Sequence, residues 1–144
     1  MPVKITKEFR WEMGHRLPNH DGGCNNIHGH SYRLVVEIEG EPDDAGMIVD
    51  YHDISRAVRP ILDELDHAFL CDSSDDLMSD VLRESNLKYV TVPFPTTAEN
   101  IAKWLAERVY PSFSSRGNLR SFSIHVYETL KTSATYTINV GDLG

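Results

Sequence analysis

The sequence predicts an α+β domain in which two helices cover one face of a four-stranded antiparallel sheet. Four segments alternate apolar and polar residues with the period of two that half-buried strands show. Two segments between the second and third of these carry apolar residues at helical spacing. The order strand, strand, helix, helix, strand, strand is typical of α+β domains, and residues 1–144 are expected to form one domain.

The first two strands are predicted from alternation at the N-terminal end. In the first, one face carries Phe9, Trp11, Met13, His15 and Leu17. In the second, which resumes at His28, one face carries His30, Tyr32, Leu34, Val36 and Ile38. The stretch from Pro18 to Asn26 is rich in turn-forming residues and predicts a loop between the two strands.

The helices are predicted at residues 53–66 and after residue 96. Pro60 lies inside the first and should kink it or delay its regular part. The second follows Thr96-Thr97-Ala98-Glu99, which has the pattern of a capping box. Residues 72–95 are the least defined part, with a possible short edge strand at 88–93. Two closing strands are centred on Ile124 and Ile138.

Composition and charge exclude several classes of partner. The formal net charge of −8 argues against nucleic acid, which requires a basic face, although a few arginines could still bind a small anion. No apolar run reaches the roughly 20 residues that cross a bilayer, and the N-terminus lacks a secretory signal. We therefore expect a cytoplasmic protein without a membrane partner. A Cys24–Cys71 disulfide is the less favoured interpretation of the two cysteines.

Three histidines form a candidate metal site. His28 and His30 are two residues apart and share one face of a strand, and His15 lies on the apolar face of the preceding strand. If the strands pair, the three imidazoles converge, and three such ligands with an open position are typical of catalytic zinc. A His-x-His pair alone is a weak signal, so spacing leaves ordinary core or surface histidines as the alternative.

Cys24, four residues before His28, is open to three interpretations: a fourth zinc ligand, an inert thiol, or a nucleophile or base.

Asp66 next to His67 suits proton transfer, although His67 could simply complement a helix C-terminus. Glu128 continues the apolar face of the third strand and needs a partner, either the N–H edge of a guanidine-like ring or an arginine. Glu99 ranks below Glu128 as a ligand-binding residue because the capping box already employs it.

These residues together resemble the 6-pyruvoyltetrahydropterin synthase superfamily. The resemblance runs in order through the motifs HRL at 15–17, C-x3-HGH at 24–30, GMIVDY at 46–51, LDH at 65–67, PTTAEN at 95–100 and VYET at 126–129. Within it, the short spacer between Cys24 and His28 resembles the 6-carboxytetrahydropterin synthases of queuosine biosynthesis. The pyruvoyl synthases usually have a longer spacer. A folate-associated variant carries a glutamate in this loop, and this loop has none. The resemblance to the family is poorer at residues 71–89.

The resemblance implies a tunnelling fold, in which three four-stranded sheets form a trimeric barrel and two trimers stack into a hexamer with active sites between subunits. It implies Zn²⁺ held by His15, His28 and His30. It implies Cys24 as the proton carrier, Asp66 with His67 as the second proton-handling pair, and Glu128, Thr97 and Glu99 in the pterin pocket.

The implied reaction converts 7,8-dihydroneopterin triphosphate to 6-carboxy-5,6,7,8-tetrahydropterin, acetaldehyde and triphosphate. Arg16, Arg33 and the lysines are candidates for binding the triphosphate group. The alternatives are a 6-pyruvoyltetrahydropterin synthase, a non-catalytic pterin- or metal-binding module, and a structural zinc domain closed by Cys24.

Overall fold

Six strands form one sheet, and three helices accompany it, in a computed structural model that describes residues 1–143. The elements are β1 (Val3–His15), β2 (His28–Gly40), α1 (Tyr51–Leu65), β3 (Ala68–Asp72), α2 (Asp76–Arg83), β4 (Tyr89–Val92), α3 (Ala98–Val109), β5 (Leu119–Tyr127) and β6 (Ser133–Asn139). The strand order is β4-β3-β1-β2-β5-β6. No helix in this range is long and apolar enough to span a membrane.

β1 and β2 pair antiparallel along their whole length, from Val3 opposite Gly40 to His15 opposite His28. The predicted faces are confirmed, because the alternating apolar residues from Phe9 to Met13 and from Tyr32 to Ile38 are at most 3% exposed. This register also brings the C-terminal end of β1 beside the N-terminal end of β2. The predicted histidine ligands lie at that end.

α1 and α3 cover the face of the sheet on which these apolar side chains lie, and all of them share one buried cluster. α1 begins after Asp50, whose carboxylate accepts a hydrogen bond from His52 N–H (2.8 Å), and Pro60 lies within the helix. α3 begins after Thr97, whose hydroxyl accepts from Asn100 N–H. Asn100 therefore occupies the third helical position, and the capping box predicted to employ Glu99 is wrong.

The four-stranded sheet with two helices is corrected to six strands and three helices. β3 pairs parallel with the end of β1 through Met13–Ala68 and Gly14–Phe69, and β4 pairs parallel with β3. α2 lies between β3 and β4 in the chain, so residues 72–95, for which the sequence showed no clear pattern, form regular structure. Strands of five and four residues are too short to show a period. β4 does confirm the short strand proposed within residues 88–93, and it lies at one edge of the sheet.

Candidate active site

Three histidine side chains meet at the end of the β1–β2 hairpin. His15 and His28 are direct partners in the antiparallel register, and His30 follows on the same face of β2. One ligand nitrogen from each of the three lies within 4.8 Å of the others. His15 is 1% exposed, whereas His28 and His30 are half-buried. The hairpin therefore brings together the three predicted ligands on a partly open face.

Two of the imidazoles are fixed by backbone carbonyl groups. Nδ1–H of His15 donates to the carbonyl of Thr96 (2.7 Å), and Nδ1–H of His28 donates to the carbonyl of Asn26 (2.8 Å). Each contact leaves the lone pair on Nε2, which is how outer hydrogen bonds orient metal-binding histidines. Nε2 of His28 is buried and has no hydrogen-bond partner among the described residues. The donor set therefore fits a divalent metal such as zinc.

Two of the three histidines, His15 and His30, have lowered pKa values that favour the neutral form that metals require. The pKa of His15 is lowered to about 4, chiefly by burial and also by the neighbouring His28 and His30, while the hydrogen bond to the Thr96 carbonyl opposes the shift. Burial, followed by His28, also lowers the pKa of His30. At neutral pH these two imidazoles can therefore act as ligands without first losing a proton.

Asp66 and His67 lie beside this centre. Nδ1 of His67 is 3.1 Å from Asp66 Oδ1, and the same oxygen accepts from the backbone N–H of Glu12 (2.9 Å). This backbone contact, with His67, lowers the pKa of Asp66. His67 adopts a positive φ of 59°, and with His30 it lines an open cleft of about 380 Å³. A carboxylate–imidazole pair therefore lies in a cleft that one candidate metal ligand also lines.

Glu128 lies on the other side of His30, with Oε2 3.9 Å from His30 Nε2. It lines one cleft with His30 and Arg33 and a second with Glu99. Burial raises the pKa of Glu128, and the negative charge of Glu99 raises it further. Among the described residues no arginine is in direct contact with Glu128, so the carboxylate can accept hydrogen bonds from a ligand.

Cys24 lies on a short 3₁₀ turn, Gly23–Asn25, and is half-buried. Its sulfur is not part of the histidine group, and it lines none of the three clefts described above. The fourth-ligand interpretation therefore has no support in this geometry. Cys71 is buried against α2, and both cysteines are free thiols. Thr97 also lines none of these clefts, since its hydroxyl caps α3.

Comparison with known proteins assigns the family. A family model for 6-pyruvoyl tetrahydropterin synthase matches residues 4–139. The chain belongs to this family. Among its relatives, the 6-carboxy-5,6,7,8-tetrahydropterin synthase of Haemophilus influenzae is 39% identical over 92% of this chain and 97% of its own. The Aquifex aeolicus protein of the same name is 27% identical over 94% and 98%.

Solved structures of other proteins share the fold. The 6-pyruvoyl tetrahydropterin synthase of Plasmodium vivax superimposes with a TM-score of 0.80 at 17% identity, over 96% of this chain and 99% of its own. An uncharacterised Wolinella succinogenes protein gives 0.82 at 25% identity, over 94% and 98%. The α+β architecture found here is therefore a pterin synthase fold.

The sequence patterns missed several groups that shape the site. Tyr32 O–H lies 3.5 Å from Nε2 of His15, and its ring stacks on Trp11 with centroids 4.8 Å apart. Burial raises the pKa of Tyr32, so its hydroxyl stays protonated. Tyr32 lies on the same face of β2 as His28 and His30, so the alternation of the strand already indicated that its side chain could reach the histidines. The carbonyls of Asn26 and Thr96 offered no such signal, because any residue supplies a carbonyl.

Proposed function

We propose that the protein is a zinc-dependent 6-carboxy-5,6,7,8-tetrahydropterin synthase. Its substrate would be 7,8-dihydroneopterin triphosphate, and its products 6-carboxy-5,6,7,8-tetrahydropterin, acetaldehyde and triphosphate. The observation that carries this proposal is the convergence of His15, His28 and His30 at the end of one hairpin. The curated relatives named for this activity support the choice of reaction.

The three histidines would hold the metal through their free ring nitrogens, with Thr96 and Asn26 fixing two of the rings. Zinc bound there would supply a Lewis acid that polarises the hydroxyl groups of the substrate side chain. Because the histidines are the only described residues in the group, the metal would keep an open position for that side chain.

Two groups would carry out the proton transfers. Cys24, as a thiolate, would remove a proton from the substrate side chain, and His67 paired with Asp66 would return one. The Asp66 carboxylate orients the His67 ring. Its own contact with the Glu12 N–H keeps that carboxylate ionised and in place.

Glu128 would hold the pterin ring by accepting hydrogen bonds from its guanidine-like edge. The charge of a nearby Glu99 and the burial of Glu128 both favour a ligand that brings N–H donors. Glu99, which lines a cleft with Glu128, would border the same pocket, and Thr97, which lines neither Glu128 cleft, would contribute by capping the helix that carries Glu99. A ring bound at Glu128 would lie next to His30, within reach of the metal centre.

The Cys24 loop favours the carboxy branch over the pyruvoyl branch. The P. vivax pyruvoyl synthase has been solved with its catalytic glutamate replaced by alanine or cysteine, so that enzyme uses a glutamate. Residues 18–27 of this chain contain a cysteine and no glutamate. This difference supports a cysteine-based reaction, which either branch could use, and the three-residue spacer before His28 is the feature that favours the carboxy branch.

We also propose that the enzyme works in the cytoplasm, in queuosine biosynthesis, as a hexamer of two stacked trimers. β4 and β6 are the edge strands of the sheet, and edges of this kind can pair with another copy to close a barrel. The mass of the protein in solution, measured by light scattering, tests the hexamer directly. A monomer would contradict it.

The decisive experiment is product identification with the zinc-loaded protein. Incubation with 7,8-dihydroneopterin triphosphate should yield a 6-carboxy pterin and acetaldehyde, identified by mass spectrometry. A pyruvoyl product would move the protein to the other branch of the family. Absence of turnover with zinc present and an unreactive Cys24 would favour a non-catalytic or structural zinc domain.

A further inference from the structure

A buried ion pair joins α2 to the end of β1. Nε of Arg16 donates to Asp75 Oδ2 (2.7 Å), and Nη2 donates to Asp75 Oδ1 (2.8 Å). The Asp75 side chain is 4% exposed and that of Arg16 is 16% exposed. A bidentate pair this well covered fixes the plane of the guanidinium group. Arg16 is therefore committed to Asp75 and is a poor candidate for binding the triphosphate.

The remaining Arg16 donor reaches the loop that carries Cys24. Three consecutive carbonyl groups of this loop are each held by a donor outside the 3₁₀ turn. The contacts are Leu17 N–H to Cys24 O (2.7 Å), Arg16 Nη1–H to Asn25 O (3.2 Å) and His28 Nδ1–H to Asn26 O (2.8 Å). The backbone on which Cys24 lies is thus fixed by groups that flank the metal centre.

The Arg16 contact differs from the other two in what holds its donor. Leu17 N–H belongs to the backbone, and the His28 ring lies at the start of β2. Arg16 has a long flexible side chain, and Asp75 is the group that orients it. The Arg16 carbonyl also accepts from Thr96 Oγ1 (3.3 Å), so the base of this side chain is held as well. Loss of the Asp75 charge would release the guanidinium and leave a partly buried cation without its partner.

We propose that Asp75, acting through Arg16, is a positioning residue for Cys24. α2 would then have a function: Asp75 caps its N-terminus, and its buried residues Met78 and Leu82 pack with Cys71 near the end of β3. The proposal deepens the proposed function, since it rests on Cys24 as the proton carrier. Proton transfer from carbon depends on geometry, and small displacements of the base lower the rate strongly.

The test is Asp75→Asn in the zinc-loaded full-length protein. Asparagine keeps the shape and caps a helix as well as aspartate does, so α2 should remain formed. Asp80→Asn is the matched control, because Asp80 is exposed on the same helix and pairs with Arg83 rather than with Arg16. Three quantities are compared: kcat, KM for the pterin triphosphate, and the rate at which iodoacetamide alkylates each cysteine.

We expect Asp75→Asn to lower kcat about tenfold with KM changed less than about twofold, because substrate contacts are intact while Cys24 is displaced. Alkylation of Cys24 should become about threefold faster as its loop loosens. Cys71 is 1% exposed and packs against α2. It should stay protected from alkylation, which would show that the helix has not detached. Zinc content should stay unchanged, and Asp80→Asn should match the wild type in every measurement.

Any other pattern overturns the proposal. If kcat is unchanged, Asp75 does not position Cys24. If kcat falls without faster Cys24 alkylation, or if Cys71 is alkylated as readily as Cys24, the effect is a general structural one. Should Asp75→Asn fail to fold, Arg16→Lys keeps the charge but loses the bidentate contact, and the same measurements apply. Absence of turnover in the wild type would refute the proposed function, while the alkylation rates would still decide whether Asp75 fixes the loop.

Discussion

The β1–β2 hairpin and the segment from residue 66 to 92 contribute to the same site in different ways. The hairpin joins two strands of 13 residues each and carries the three histidines. The segment contains strands of five and four residues and one helix of eight, and only two residue pairs join β3 to β1. The histidine group that could hold a metal thus lies on the longest strand pair of the sheet, and the Asp66–His67 pair, proposed to handle protons, lies beside a short one.

The difference suggests how each region is kept in place. A long hairpin forms many contacts between residues close in sequence, so its geometry depends little on the rest of the molecule. The segment is attached by its short pairing with β1, by Leu70 and Val92, which lie in the main core cluster, and by individual polar contacts. His67 N–H donates to the Glu12 carbonyl (2.6 Å), Glu12 N–H donates to Asp66, and Asp75 binds Arg16. Changes in the hairpin should therefore affect the metal, and changes in the segment should affect the chemistry with the metal retained.

The largest effect is expected from His28→Ala. One of three ligands is lost, and the remaining pair cannot hold zinc against dialysis. Metal content measured by mass spectrometry should fall from about one zinc per chain to nearly none, and turnover should disappear with it. His52→Ala is the control, since His52 is exposed on α1 away from the histidine group. A His28→Ala protein that still binds one zinc would rule out the ligand assignment.

Replacing Cys24 with alanine should separate metal binding from chemistry. Because its sulfur is not part of the histidine group, zinc content should be that of the wild type. Turnover should fall by a factor of about a thousand, the range expected for loss of a general base. The matched control is Cys71→Ala, in which the other thiol is removed and turnover is retained. Equal turnover in the Cys24→Ala and wild-type proteins would remove Cys24 from the mechanism.

The same contrast explains what the sequence could reveal. Alternation along β1 and β2 identified the buried face, and with it the three histidines, because a period of two repeats several times in a long strand. β3 gave no such signal, since its five residues follow a helix directly and four of them are buried. The Arg16–Asp75 contact joins residues 59 positions apart, and no local pattern encodes such a pair.

Core substitutions should test the difference in stability. Leu34 in β2 is fully buried in the main cluster, and Leu82 in α2 is 2% exposed in a small cluster with Cys71 and Met78. We expect Leu34→Ala to lower the free energy of unfolding by about 4 kcal/mol and Leu82→Ala by about 2 kcal/mol, because the small cluster can relax around the cavity. Urea unfolding measures both. An equal or larger loss for Leu82→Ala would show that the segment is as firmly held as the hairpin.

The smallest expected effect is a pH dependence of the free energy of unfolding that arises from Asp75, in the segment of residues 66–92. The Arg16 guanidinium, and next the helix N–H of Met78, hold the pKa of Asp75 below its ordinary value of about 3.9 against the effect of burial. A carboxylate with a lowered pKa stabilises the folded state above its unfolded pKa, and this stabilisation disappears as the pH falls through the folded pKa. The difference in unfolding free energy between wild type and Asp75→Asn should therefore be constant from pH 5 to 7 and shrink below about pH 4.

Arg16→Gln provides the matched background for this measurement, since it removes the main cause of the lowered pKa while leaving Asp75 in place. In that background, the effect of Asp75→Asn on the free energy of unfolding should lose most of its pH dependence below pH 4. Urea unfolding of the four proteins at pH 3, 4, 5 and 7 completes the cycle. If the pH dependence persists without Arg16, the carboxylate is stabilised mainly by the N-terminus of α2, and the helix is attached to the hairpin by packing rather than by this ion pair.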